Sequence, residues 1–404
     1  MIIKSFRITA LMLALGLTVA NVQSQAAVPE TIKIGVSGPF TGGSKPMGES
    51  MRNGIRLAVE EINSIGGVNG KLIELIERDD EAKVDVGARV AKELTENKVV
   101  ATIGIVNTGV GLASIGAYQK ARIPLVIAVS TGTSLTKTFA PPAAPQNFIF
   151  RVAPTLDLEA TVLMSDIARG QLTQVAILAD STAYGDAGLA ASIQKAKSAG
   201  ISLVDAGRFN LGDTDMTAQL RSARDAGAQA IVVWGIGPEL AAIAKNKAAL
   251  KWRVPMLGSW AFSMRTFIDG AGSSGEGAIM PQTFIQEMGS AAKNSFLLAY
   301  NRSFKQSEIP SPMSAAQGYD GMHLLYKAIR QARTTDGVKI KEALENLKIR
   351  YQGAITSYNK PFSATDHDAI TTNMLVMGKI KEGRVDYAYV DDERRGSLLR
   401  LKAK

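Results

Sequence analysis

Six short stretches of the chain are rich in groups that can bind an anion without a charged partner. They are Ser37-Gly38-Pro39-Phe40-Thr41-Gly42-Gly43, Val106-Asn107-Thr108-Gly109, Val129-Ser130-Thr131-Gly132-Thr133, Asp180-Ser181-Thr182-Ala183-Tyr184, Gly235-Ile236-Gly237 and Gly258-Ser259-Trp260. Serine and threonine bring hydroxyls and glycine bares backbone amides, so such loops can hold a carboxylate. The same residue types also cap helices and turn the chain. The case for a site rests on all six falling on one edge of the fold. Other chemistry has little to work with. Gly235-x-Gly237 lacks the third glycine of a dinucleotide loop, and the chain has no P-loop and no Gly-x-Ser-x-Gly elbow. Of the two histidines, His323 stands among Met322, Leu324 and Leu325, and His367 between Asp366 and Asp368. Neither has the further ligands a metal site needs, so no metal, no cofactor and no catalytic group is expected.

The loops must be positioned by the elements around them. Apolar runs at Ile32–Ser37, Lys71–Glu77, Val99–Val106 and Pro124–Val129 read as strands. They alternate with helical spacing at Gly48–Ile62, Lys83–Leu94 and Val110–Lys120. A second set repeats the rhythm. Its strands are Gln174–Ala179, Ser202–Phe209, Ala230–Trp234 and Val254–Leu257, and its helices Gly185–Ser198, Thr214–Ala226 and Glu239–Leu250. Such alternation gives parallel sheets with helices on both faces, here two doubly wound α/β lobes. In open sheets of this kind, ligands bind beyond the carboxyl ends of the strands. After Gly277 the pattern changes to helices at Gly289–Phe304, Ser314–Ala332 and Lys339–Leu347 and strands at Asn373–Ile380 and Val385–Val390. This extra material implies a chain that crosses between lobes more than once. Pro141-Pro142-Ala143-Ala144-Pro145 reads as a surface loop.

The first residues read as an export leader. Lys4 and Arg7 precede the apolar run Ile8–Ala20, which is short for a bilayer span, and Ser24-Gln25-Ala26 fits a cleavage site. Cleavage would leave a soluble chain. Cysteine is absent, which removes an N-terminal lipid anchor and is compatible with a core large enough to need no disulfide. With no such anchor, a periplasmic location is expected. The formal charge is +9, spread along the chain apart from a basic tail at Arg394, Arg395, Arg400, Lys402 and Lys404. Nucleic-acid binding would call for a basic stripe interleaved with aromatics; a solvated basic surface accounts for this pattern.

The chain also resembles the periplasmic binding proteins for leucine, isoleucine and valine that serve ABC importers. The marks are Ile34-Gly35-Val36-Ser37-Gly38-Pro39, Glu60-Glu61-Ile62-Asn63 leading to Gly66-Gly67-Val68-Asn69-Gly70, Asp79-Asp80, Ile103-Gly104 before Asn107-Thr108, and Tyr184-Gly185. The resemblance implies a type I clamshell of two Rossmann-like lobes joined by three crossover strands, near Phe150-Arg151-Val152, Ile279-Met280-Pro281 and Gln352–Thr356. It implies a first lobe of residues 27–151 with 281–353, and a second of 152–280 with 354–404. It implies a carboxylate-bearing ligand met by Thr108, Val129, Ser130 and Thr131, closed over by Tyr184, with Met47 lining the side-chain pocket. It further implies inner-membrane permease subunits as partners. The sequence carries no sign of strong oligomerisation, and a monomer is expected.

One departure matters. Amino-acid binders of this family carry a glutamate after the strand that ends here at Gly258, and this chain has Trp260 beside Ser259. A buried ammonium without a counter-charge is costly. Another acid, Glu49, Glu239 or Asp320, must therefore substitute, or the ligand lacks an ammonium. An indole wall suits an aromatic ring, and Ile236, where the family often has tyrosine, makes the pocket less polar. With Trp260 in place of that acid, leucine-type amino acids are expected to bind weakly or not at all. Two other readings share the fold class: a ligand sensor feeding a membrane receptor, and an exported α/β enzyme.

Overall fold

A computed structural model describes residues 30–397 and 401–402; the expected leader at residues 1–26 lies outside them. From the N-terminus run β1 (Ile32–Gly38), α1 (Lys45–Ser64), β2 (Ile73–Asp79), α2 (Val84–Glu96), β3 (Ala101–Gly104), α3 (Thr108–Ala121), β4 (Leu125–Ile127), α4 (Ser134–Lys137) and β5 (Ile149–Arg151). These strands form one parallel sheet in the order β2-β1-β3-β4-β5. The chain then makes α5 (Leu156–Arg169), β6 (Gln174–Asp180), α6 (Ala183–Ser198), β7 (Ser202–Phe209), α7 (Thr217–Asp225), β8 (Ala230–Trp234), α8 (Glu239–Ala249), β9 (Met256–Gly258), α9 (Arg265–Ala271) and β10 (Ile279–Gln282). A second sheet has the order β14-β13-β10-β9-β8-β6-β7. Its last two strands, β13 (Val376–Lys381) and β14 (Arg384–Tyr387), run antiparallel at one edge.

β3 and β8 are buried along their whole length, as expected of parallel strands covered by helices on both faces. Between β10 and β13 the chain returns to the first lobe as α10 (Ala291–Phe304), α11 (Pro312–Ala332) and α12 (Gly337–Glu345), followed by the hairpin β11 (Tyr351–Gln352) and β12 (Ser357–Tyr358). α11 lies against α1 at backbone distance. A Cβ at Gly54 would sit 2.0 Å from the Ala315 carbonyl oxygen, and one at Gly318 would sit 2.4 Å from that of Met51.

The third passage between lobes comes later than the sequence suggested. β12 pairs only with β11, and residues 362–369 stay on the first lobe. Phe362 packs edge-on against Phe150, and His367 stacks on it at 3.9 Å. The Arg151 amide donates to His367 O, and the Ala369 amide to Arg151 O. The chain thus runs beside β5 before it reaches β13. No local pattern marks this course, because the segment makes isolated contacts rather than a regular strand. α5 and α9 were also not read from the sequence. α5 has an N-cap threonine, Thr155, whose hydroxyl accepts the Leu158 amide, and Asp157 and Glu159 in its first turn. Those are recognisable start signals.

Candidate ligand cleft

All six Gly/Ser/Thr loops lie at the carboxyl ends of strands, and they meet where the two sheets face each other. In the first sheet the strand order reverses between β1 and β3, and in the second between β6 and β8. A doubly wound sheet opens a crevice at such a point. The floor of the crevice is a tight knot of backbone. Gly104 has φ +149°, and a Cβ there would lie 2.0 Å from Ser37 O. The Ile105 amide donates to Ser37 O, and Ile105 O accepts the Val129 and Ser130 amides. Ile105 itself holds a φ of +63°, a strained setting for a β-branched residue. Three strand ends are locked together by these bonds.

From that floor the first lobe presents α3, whose N-cap residue Asn107 makes no side-chain cap and donates to Ser44 instead, and the Val129–Thr133 turn. The Thr108 hydroxyl bonds the Ser130 hydroxyl at 3.2 Å. Gly132 lets the two segments touch, since a Cβ there would meet Thr108 Cγ2 at 2.5 Å. The turn is anchored from behind by Arg151, which is fully buried and donates to Gly132 O at 2.6 Å. Its other donors go to Asp368 Oδ1 at 2.9 and 2.7 Å and to Thr136 Oγ1 at 3.0 Å. Burial would raise the Asp368 carboxyl, but the charges of Arg151 and Lys137 and the Thr136 hydroxyl win and hold it below its ordinary value.

The second lobe presents α6. Asp180 Oδ1 accepts the Thr182 amide, the Thr182 hydroxyl and the Gly185 amide, which fixes the turn that aims Tyr184 into the crevice. The Tyr184 ring stands edge-on to Trp234. Burial drives its hydroxyl well above the ordinary tyrosine value, so it stays protonated. Trp260 begins a 3-10 turn, Trp260–Ser263. Its carbonyl accepts from Ser263 and Gln282, and its amide donates to Glu159 Oε2 at 3.4 Å.

Six of the eight expected residues meet around one enclosed cavity. Met47, Val129, Thr131, Tyr184, Ile236 and Trp260 line it together with Val106 and Ala261. The walls are drawn in until about 10 Å³ remains at the centre, at the threshold for a single water. Thr108 lines an adjoining outer groove of about 580 Å³ that shares Tyr184 and Ile236 with the inner cavity. Ser130 sits behind Thr108 and reaches neither cavity.

The three acids offered by the sequence separate clearly. Asp320 is fully buried and accepts four donors, from Tyr351, Tyr358 and the Ala354 and Ile355 amides. It holds the β11–β12 hairpin and is remote from the cleft. Glu49 is half-exposed beside Lys45 and Arg52. Glu239 lines the outer groove, and its Oε1 accepts the Gly212 amide at 2.6 Å. Behind the wall of the inner cavity, at the Trp260 amide, lies a fourth acid, Glu159 of α5, which sequence reading missed and which lines neither cavity. It is wholly buried. Burial pushes its carboxyl up to about 8, against the Trp260 amide, the Thr131 hydroxyl and the charge of Arg151.

The pattern that describes the periplasmic binding protein family matches residues 31–384. The leucine-, isoleucine-, valine-, threonine- and alanine-binding protein of Pseudomonas aeruginosa is 27% identical over 332 residues, which cover 81% of this chain and 86% of that protein. Among solved structures, the type 1 periplasmic binding protein of Bordetella pertussis is 29% identical with a TM-score of 0.80, covering 89% of this chain and 100% of that one. The branched-chain amino acid transporter substrate-binding protein of Streptococcus pneumoniae, in complex with isoleucine, is 26% identical with a TM-score of 0.76, covering 88% and 98%.

Proposed function

From the premise that this chain belongs to the type I periplasmic binding proteins of the branched-chain amino acid family, we propose that it is the solute-capturing component of an ABC importer. It works in the periplasm after loss of residues 1–26, takes a small carboxylate-bearing solute into the cleft, and delivers it to permease subunits. The observation that carries this reading is the single cavity on which Met47, Val129 and Thr131 of one lobe and Tyr184, Ile236 and Trp260 of the other converge.

The geometry suits capture by closure. α3 and α6 point their N-termini at the crevice from opposite lobes. α3 has no side-chain cap and offers first-turn amides and a positive dipole end to an anion, whereas the Tyr184 and Gly185 amides of α6 are already taken by Thr182 and Asp180. The Thr131 and Tyr184 hydroxyls are buried with no partner in good hydrogen-bond geometry, although Thr131 stands near Glu159 and Tyr184 near Ser259, so a ligand carboxylate meets donors that can turn to it. Such groups are costly when empty, and filling them contributes directly to affinity. With the walls this close, entry requires the lobes to part about the three passages and re-close, a hinge motion. The importer then reads the closed form. Nothing in this scheme asks for a nucleophile or a general base, and we place the protein among binders rather than enzymes.

Thermal unfolding with and without candidate solutes tests this, because a ligand that binds only the folded protein raises Tm by mass action. A panel of neutral amino acids and aromatic carboxylates should contain at least one stabilising compound, and Thr131→Val should remove the shift. A shift that survives Thr131→Val and Trp260→Ala would move the ligand site elsewhere.

A further inference from the structure

A separate cavity of about 450 Å³ shares no lining residue with the inner cavity or the outer groove of the cleft. Its size is that of a small-molecule site. Ser307, Glu308, Ile309 and Pro312 of the first lobe line it, and so do Ser263, Arg265, Ile268 and Val385 of the second. The chain that leaves β10 for the first lobe adds Gln282, Phe284 and Ile285. The lobes touch beside it: the Arg265 amide donates to Pro310 O at 3.0 Å, and the Arg265 guanidinium lies 3.6 Å from Glu308.

The lining suits an uncharged guest. Phe284, Ile285, Ile268 and Ile309 are buried and make much of it apolar. Its charged groups are of both signs, Arg265 and Arg384 against Glu287, Glu308 and Asp386, so neither sign dominates. Gln282 breaks the pattern. It is fully buried, and its Nε2 donates to Trp260 O at 3.2 Å, but its Oε1 is buried with no hydrogen-bond partner. An unmet acceptor in such a place is costly until something donates to it. The Ser263 hydroxyl, also at the cavity, is already spent on Trp260 O.

We propose that this cavity is a second binding site, for a small uncharged aromatic molecule bearing an O–H or N–H group, of the phenol or indole type. The ring packs on Phe284 and the isoleucines, and the donor meets Gln282 Oε1. Ser263 and Gln282 both hold the carbonyl of Trp260, which lines the inner cavity. A guest here therefore bears on the cleft without entering it.

Calorimetric titration of the purified mature protein with phenol, anisole, indole and N-methylindole tests the proposal. Within each pair the added methyl removes the donor and adds apolar surface, so burial alone favours the methylated member. Expected is that phenol and indole bind at least about threefold tighter than their methylated partners. Gln282→Leu should abolish that preference. Ser307→Trp, at an exposed lining position, should weaken binding of all four, and Thr131→Val in the solute cleft should leave it unchanged. Methylated members that bind as tightly as their partners overturn the proposal, as does a preference that survives Gln282→Leu. Binding that ignores Ser307→Trp, or is lost in Thr131→Val, overturns it by moving the guest elsewhere. Binding of none of the four overturns it as well. The wild-type preference and Ser307→Trp decide the matter even if Gln282→Leu fails to fold.

Discussion

Arg151 and Asp368 offer a sharp test of what holds the cleft together. Arg151 is fully buried at the end of β5, and its guanidinium makes two bonds to Asp368 Oδ1, one to Gly132 O and one to Thr136 Oγ1. Asp368 lies 217 residues away in sequence and is also reached by Lys137 at 3.4 Å. Asp368→Asn removes the counter-charge but leaves the guanidinium in a site closed to water. Breaking a buried pair from one side costs about 3–5 kcal/mol, because the surviving charge is uncompensated. Replacing both with apolar groups removes that penalty, so Arg151→Met with Asp368→Leu should cost at least about 1 kcal/mol less than the sum of the two single changes. Urea unfolding with linear extrapolation measures the wild type, Asp368→Asn and the three proteins of the Arg151→Met/Asp368→Leu cycle. Single losses under about 1 kcal/mol, or additivity within about 0.5 kcal/mol, would refute the reasoning. Since Arg151 also fixes Gly132 next to Thr131, Arg151→Met should weaken solute binding beyond its effect on stability.

Three further outcomes are expected. Gly54→Val should destabilise by about 3 kcal/mol or more, since its Cβ would press on the Ala315 carbonyl and force α1 from α11; an unchanged denaturation midpoint would contradict the close approach. Tyr184→Phe removes a buried hydroxyl that has no partner, so the empty protein should keep its Tm or gain slightly while solute binding weakens; parallel loss of both would give the hydroxyl a structural role instead. Stability should also fall as pH rises between about 5 and 7. Burial pushes the carboxyl of Glu159 to about 8 and that of Asp320 to about 7. The folded protein therefore keeps protons that the unfolded chain has lost, at up to about 1.4 kcal/mol per pH unit for each group. Asp368 acts the other way, since its lowered carboxyl contributes stability that is present above its ordinary range and lost as pH falls through it. A Tm constant from pH 5 to 7 would count against both buried acids being neutral.

The sequence by itself determined the two doubly wound lobes. Apolar runs such as Ala230–Trp234 and helical spacing such as Gly48–Ile62 are local patterns, and each element buries the face its pattern dictates. It also determined the ring of loops, because a βα turn needs small and hydroxyl-bearing residues wherever it occurs. Tyr184 and Trp260 stand in those loops, while Met47 was singled out only through the family resemblance. Only the tertiary structure decided which of these residues share a cavity. Residues as far apart as Met47 and Trp260 meet because two sheets reverse their strand order face to face, a long-range fact that no local pattern carries. The same is true of the acid behind the cleft wall. Glu159 looks like an ordinary first-turn glutamate of a helix, favourable to the dipole and expected to face water. Its carboxyl is buried because α5 follows the first passage between lobes and packs between Thr131 of one lobe and Trp260 of the other. The charge balance of a site is set by what the fold brings near it, and that sum is taken over space rather than along the chain.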